Sequence, residues 1–326
     1  MDISTETTSK LTVINYIDHF AARWGINRGN HRVDPGLYRL GTPSKESSVF
    51  VTANYTLSFD ALRKSLHSQH AWILVLDTKG VNVWCAAGKG TFGTEELCNR
   101  IETTQLKDHI QHKNIILPQL GAPGISAHEV KKLSGFNVIY GPVRASDIPE
   151  YIKTGNVTTS MRHVTFRLWD RFILTPIEIR MTLIPLLIGS IVAYFLDGTL
   201  GTIATISAIF SGTLFFPLLL PWIPTKSFSS KGFILGFVTM IIIAHFRFHG
   251  YIDQPLWHRG FAAGSYFLLF PPITSFLSLN FTGSTTFTSK TGVTNEMKRY
   301  MRPMAILFGT GIIAQIVLKI TSIAIQ

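Results

Sequence analysis

The stretch Val81-Asn82-Val83-Trp84-Cys85-Ala86-Ala87-Gly88-Lys89-Gly90-Thr91-Phe92-Gly93 decides how the first half of this chain is read. Ahead of it, Trp72-Ile73-Leu74-Val75-Leu76 is an apolar run of strand length, closed by Asp77-Thr78-Lys79-Gly80, a hairpin-like turn. Val81 to Ala87 reads as a second buried strand. The glycines then give a flexible turn, and Thr94-Glu95-Glu96-Leu97 starts a helix with a capping residue and acids in its first turn. On this reading Cys85 stands at a strand end ahead of a helix N-terminus, where α/β folds place reactive groups.

Outward from that centre the pattern repeats. Leu11, Ile14, Ile17 and Phe20 fall at helical spacing, and Arg23 to Pro35 is a polar covering segment. Strands are expected over 48–52, 114–118 and 136–140, with helices over 59–67, 94–107 and 146–153 and a short one capped by Ser126. Ser126 and Glu129 form a capping-box pattern. Strands alternating with short helices predict an α/β domain, a Rossmann-like and mostly parallel sheet with helices on its faces. Loops near Asn54, Thr78, Cys85, Gly121 and Gly141 would then face one crevice.

The 326 residues divide into a polar first part and an apolar second part. The boundaries expected are 1–160 for the α/β domain, 161–180 for an amphipathic juxtamembrane helix, and 181–326 for an all-α transmembrane domain. The juxtamembrane stretch carries Arg162, Arg167, Arg171 and Arg180 among aromatics, as suits an anionic membrane surface. Five apolar segments follow, at about 181–197, 199–223, 231–248, 259–280 and 303–325; a span needs roughly 20 residues, so the first must begin near Leu174.

Cations sort by loop. Arg162, Arg167, Arg171, Arg180, Lys226, Lys231, Lys290, Lys298, Arg299 and Arg302 fall on one side, against Arg247, Arg259 and Lys319 on the other. That bias puts the first domain in the cytoplasm, the protein in the inner (cytoplasmic) membrane, and the C-terminus outside. It also accounts for much of the net charge of +11, which lacks the basic helix or aromatic–basic interleaving of a nucleic-acid binder. Met1 to Lys10 has no apolar core of signal-peptide length. Asp197 and Asp253 fall at segment ends, so no paired-charge ion path of a transporter is legible.

Two cysteines, Cys85 and Cys98, are too few for a disulfide framework or an iron–sulfur cluster, and are expected as free thiols. Gly88-Lys89-Gly90-Thr91-Phe92-Gly93 satisfies G-x-G-x-x-G literally, but the next strand ends Leu117-Pro118-Gln119 without the acid a dinucleotide ribose wants. Lys89 is followed by Gly90, which excludes a Walker loop. A cysteine in an apolar run is ordinarily a small buried hydrophobe. Cys85 departs from that pattern because Lys89 lies close and Ala86, Ala87, Gly88 and Gly90 leave room for a large planar ligand. Cys98 has no such context and reads as structural.

The string NVWCAAGKGTFGTEEL, preceded by WILVLDTKG and by Val51 to Tyr55, resembles the corrinoid-binding domain of the acetyl-CoA-pathway corrinoid iron–sulfur protein. It resembles still more the mercury-methylating corrinoid protein family (HgcA-type), whose members join such a domain to membrane helices. The resemblance runs from about Pro35 to Lys153. It implies a corrinoid (cobalamin-type) cofactor with Cys85 as the lower ligand to cobalt, and no iron–sulfur cluster in this chain.

Asn82, Val83, Trp84, Ala86, Ala87, Gly88, Lys89 and Gly90 would line the site. Thr52, Asn54, Tyr55, Thr78, Gly121 and Gly124 are added by strand-end placement and partial resemblance. An electron-rich sulfur opposite the methyl group would push density into the cobalt–carbon bond and suit transfer to an electrophile. The resemblance thus implies a membrane-bound corrinoid methyltransferase that makes methylmercury from Hg(II). The alternative is a corrinoid methyl carrier of one-carbon metabolism with a non-mercury acceptor. Implied partners are a ferredoxin-like iron–sulfur protein (HgcB), supplying electrons and mercury, and a methyl donor of the methyltetrahydrofolate type. The hydroxyl-rich loop Asn280 to Ser289 would face the cytoplasm beneath the first domain.

Overall fold

The computed structural model describes residues 4–285 and 288–325, in two compact units split between Thr165 and Phe166. The hydroxyl-rich loop is therefore described only in part, and Thr286 within it lies outside the described residues.

In the first unit six strands form one sheet in the order β1-β2-β4-β3-β5-β6: Thr5–Thr7, Gly36–Leu40, Ala71–Leu76, Val49–Ala53, Asn114–Pro118 and Asn137–Gly141. All neighbours are parallel except β2 and β4. Strands β3 and β4 are buried along their whole length, which is why they read as continuous apolar runs instead of alternating ones. Strands β1 and β2 escaped the sequence reading. Strand β1 is three polar residues, and β2 directly follows the polar covering segment and carries Arg39 within it.

Helices α2 (Thr56–Ser65) and α7 (Ile148–Thr154) share one face of the sheet, where Phe59, Leu62 and Leu66 pack on Phe50, Ile73 and Val75. On the other lie α3 (Val83–Lys89), α4 (Thr94–Thr103), α5 (Leu106–His109) and α6 (Ala127–Ser134), closed around Phe92, Leu97 and Ile101. Among the parallel strands the order β4-β3-β5-β6 reverses direction between β3 and β5. That reversal makes a crevice at their carboxyl ends.

Helix α1 (Val13–Arg23) is held polar side inward. His19 Nε2 lies 2.7 Å from Asp60 Oδ2 and His31 Nδ1 2.7 Å from Asp18 Oδ1, so Ile14, Ile17 and Phe20 face out. Burial raises the Asp60 carboxyl, yet hydrogen bonds from His19 and Arg63, with their charges, outweigh it and hold the group below the usual carboxylate range. A folded-state pKa below the unfolded one stabilises fully above the unfolded value of about 3.9, and this is lost as pH falls through the folded value. Asp60→Asn should therefore be less stable near neutrality and lose less stability below about pH 4, read from unfolding midpoints against pH.

The second unit is helical. The expected amphipathic helix over 161–180 does not form: Phe166 has a positive φ of 42°, and only the short α8 (Leu168–Phe172) precedes α9 (Thr175–Phe210). Helix α9 continues through a π-helical turn, Ser211–Phe215, into α10 (Phe216–Leu219). Then come α11 (Phe228–His249), α12 (Leu256–Asn280) and α13 (Lys290–Ile325).

Among the described residues four stretches are long and apolar enough to cross a membrane: Leu168–Leu219, Phe228–His249, Leu256–Ser284 and Thr291–Ser322. The first of them is folded back on itself. Asp197 and Gly198 leave helical geometry, Thr202 Oγ1 lies 3.3 Å from the Ser190 carbonyl, and Arg171 donates to the Leu218 carbonyl at 2.9 Å. A straight helix would hold residues 190 and 202 about 18 Å apart.

Asp197 stands at that reversal, at a segment end as its place in the sequence implied, and it is paired there. Arg247 Nε donates to both its oxygens (2.9 and 3.1 Å) and the Tyr266 hydroxyl donates to it. Arg247 is buried, and its Nη1 is 3.5 Å from Gln254 Oε1, which lies 3.0 Å from His258 Nδ1. The reversal brought these partners together, and spacing along the chain could not show it.

Candidate functional site

Strand β3 ends at Ala53, and Asn54 turns inward instead of toward solvent. Its Oδ1 accepts from the backbone N–H groups of Thr78 (3.1 Å) and Gly80 (3.0 Å) and lies 2.8 Å from the Thr78 hydroxyl. Its Nδ2 donates to Asp77 Oδ1 at 3.2 Å. Both Asn54 and Thr78 are buried, so they brace the loop 77–82 between β4 and α3. Thr52 is likewise buried within β3.

That braced loop delivers Asn82 as the N-cap of α3, accepting from the Cys85 backbone N–H at 2.9 Å. The expected strand over Val81–Ala87 is thus a helix. A capping Asn followed by Cys-Ala-Ala favours that state, and the three apolar residues Val83, Ala86 and Ala87 lie on one helical face against the core. Cys85 occupies the third helical position, half-buried, with its thiol free. Asn82, Trp84, Gly88 and Lys89 form the exposed surface around it, Trp84 at 38% exposure. Gly90 closes the helix at φ +85°.

The glycines divide into two kinds. A Cβ on Gly88 or Gly90 would meet nothing within 4 Å. On Gly121 it would stand 2.4 Å from the Phe92 ring, and on Gly124 2.2 Å from the Phe92 carbonyl oxygen. Gly121 and Gly124 therefore seat the turn after β5 beneath Ala87 and Phe92. Tyr140 secures that turn by donating to the Ile125 carbonyl at 2.7 Å.

Tyr55, beside the reversal, has its phenol raised by burial. The charges of Arg23 and Arg28 work against that rise; those of Asp18 and Cys85 add to it. All five groups thus border one region. Arg23, Arg28 and Asp18 were not anticipated. The segment carrying both arginines folds back over the end of β3, where Val33 N–H donates to the Asn54 carbonyl (2.9 Å) and Thr56 N–H to that of His31 (3.1 Å). The sequence signal was the cluster Arg23, Arg28 and Arg32 in the covering segment.

Cys98 lies on α4 against the core, its thiol raised by burial and then by Glu129. No group of three or more His, Cys, Asp or Glu that could hold a metal ion occurs among the described residues.

The first unit is similar to known proteins over most of its length. Residues 22–152 match the family model described as the CO dehydrogenase/acetyl-CoA synthase delta subunit. The matched stretch contains α3 and the crevice and ends before the apolar helices. The acetyl-CoA decarbonylase/synthase complex subunit gamma of Methanopyrus kandleri is 33% identical over 128 residues, 39% of this chain and 27% of the relative. The equivalent subunit of Methanothermobacter thermautotrophicus is 32% identical over 122 residues, 37% of this chain and 26% of the relative. The corrinoid/iron-sulfur protein large subunit of Moorella thermoacetica is 28% identical over 124 residues, 37% and 27% of the two chains. The chain spans about a quarter of the length of these curated relatives.

Proposed function

We propose that the first unit binds a corrinoid over α3 and carries methyl groups in one-carbon metabolism of the acetyl-CoA type, and that the second unit holds it in a membrane. The similarity of residues 22–152 to proteins of that chemistry, with a free half-buried thiol on the open face of α3, carries the reading. The residues suit a large planar ligand. Gly88 and Gly90 present a side-chain-free floor beside Cys85, and the Thr91 hydroxyl and one Asp18 carboxylate oxygen are buried without a partner.

A bound corrinoid would supply a cobalt that accepts and yields a methyl group. Cys85 would ligate the cobalt, Trp84 and Lys89 would flank the group, and Arg23 and Arg28 would offer donors at its rim. The bent first apolar stretch, counted as two limbs, makes five crossings. The cation bias then sets the first unit in the cytoplasm and the C-terminus outside. A ferredoxin-like iron–sulfur protein would supply electrons, and a methylated folate-type donor the methyl group.

The thiol and the apolar helices outside the matched stretch favour a second reading, in which the acceptor is Hg(II) and the product methylmercury. The absorption spectrum of the purified full chain with corrinoid tests the shared part; a spectrum unchanged from free corrinoid would remove both readings. Methyl-loaded protein offered Hg(II) or an acceptor protein then separates them by which one is methylated.

A further inference from the structure

Within the second unit α9, α12 and α13 enclose an apolar cavity of about 310 Å³, lined by Pro185, Ile209, Ile273, Met301, Ala305 and Phe308 among others. That is twice the roughly 150 Å³ of a Leu/Ile/Phe-lined cavity that stays dry and takes up benzene. The cavity reaches the surface: its lining residues Phe276, Met301 and Phe308 are 41%, 36% and 38% exposed. On a bilayer-spanning bundle that surface is bathed in lipid, so hydrocarbon fills such a recess.

One end of the recess is charged. Lys298, Met301, Ala305 and Phe308 are spaced three, four and three residues apart, one stripe of α13, and Arg302 lies a turn before Ala305 and a turn after Lys298. Both cations are exposed, and they stand where α13 passes from its polar first turns into the apolar run after Pro303. That is headgroup depth. Glu178, near the same end on α9, already accepts from the Ser284 hydroxyl at 2.8 Å.

We infer that this recess binds one anionic phospholipid, an acyl chain filling the cavity and the phosphate paired with Lys298 and Arg302. The inference rests on the bilayer reading of the second unit, which resistance of the full chain to alkaline extraction from membranes tests separately.

The test titrates delipidated full-length protein in detergent with phosphatidylglycerol, phosphatidylcholine or soluble glycerol phosphate, reading bound lipid by native mass spectrometry and the unfolding midpoint. One phosphatidylglycerol should bind roughly thirtyfold more tightly than phosphatidylcholine, from about 1 kcal/mol per cation near the surface, and raise the midpoint. Glycerol phosphate should leave the midpoint unmoved. Lys298→Gln with Arg302→Gln should bring phosphatidylglycerol down to the phosphatidylcholine level, and Ala305→Trp should remove tight binding of both. Equal binding of the two lipids, or glycerol phosphate acting alone, would overturn the headgroup pairing. Undiminished binding by folded Ala305→Trp protein would overturn the cavity as the site.

Discussion

Cys85→Ala should lower methyl transfer by roughly a hundredfold or more, since removal even of groups supporting a metal ligand costs ten- to a hundredfold. The fold should not notice. The thiol is half-buried, the Asn82 cap engages the backbone N–H of residue 85 and survives the change, and alanine suits a helix better than cysteine. The unfolding midpoint should therefore stay level or rise slightly while the spectrum of bound corrinoid loses its sulfur-ligated form. Cys98→Ala is the control: its thiol packs on the core away from the exposed face of α3, and most activity should remain. Transfer by Cys85→Ala at the wild-type rate would end the role of Cys85 as a cobalt ligand.

The second large effect separates architecture from binding. Gly124→Ala would put a Cβ 2.2 Å from the Phe92 carbonyl oxygen and 3.0 Å from the Ala87 Cα, both backbone atoms that cannot swing aside. The cost should be about 3 kcal/mol, or roughly 6–12 °C in the melting of the first unit. Gly88→Ala should do the reverse: its Cβ meets nothing, and a helical Gly→Ala exchange gains up to about 1 kcal/mol. It should nonetheless weaken corrinoid retention by intruding on the floor beside Cys85. Differential scanning fluorimetry and cofactor absorbance read the two effects independently. A Gly88→Ala protein with full corrinoid content would place the cofactor elsewhere, and a fully stable Gly124→Ala would contradict the close packing under Phe92.

Much of this organisation was legible along the chain. The strands β3, β4 and β5 announce themselves as apolar runs, the Ser126 cap of α6 by its spacing to Glu129, and the bundle by sheer apolar length. These are local properties, set by periodicity and side-chain type within a few residues. The WCAAGK run also singled out Cys85, because Ala86, Ala87 and Gly88 follow the thiol and leave room beside it.

What the sequence could not decide was everything settled between distant residues. Whether Val81–Ala87 became strand or helix depended on Asn82 being held as a cap by a loop that Asn54, nearly thirty residues earlier, braces through its side chain. Gly88 and Gly121 look alike in sequence; only packing leaves the first open and the second filled by the Phe92 ring. Arg23 and Arg28 came within reach of Tyr55 because the segment carrying them folds over the end of β3. Asp197 found Arg247 and Tyr266 because the chain reverses at Gly198. Propensity acts over one helical turn, whereas burial and pairing are fixed only when the chain closes on itself, and that closure assembled the site.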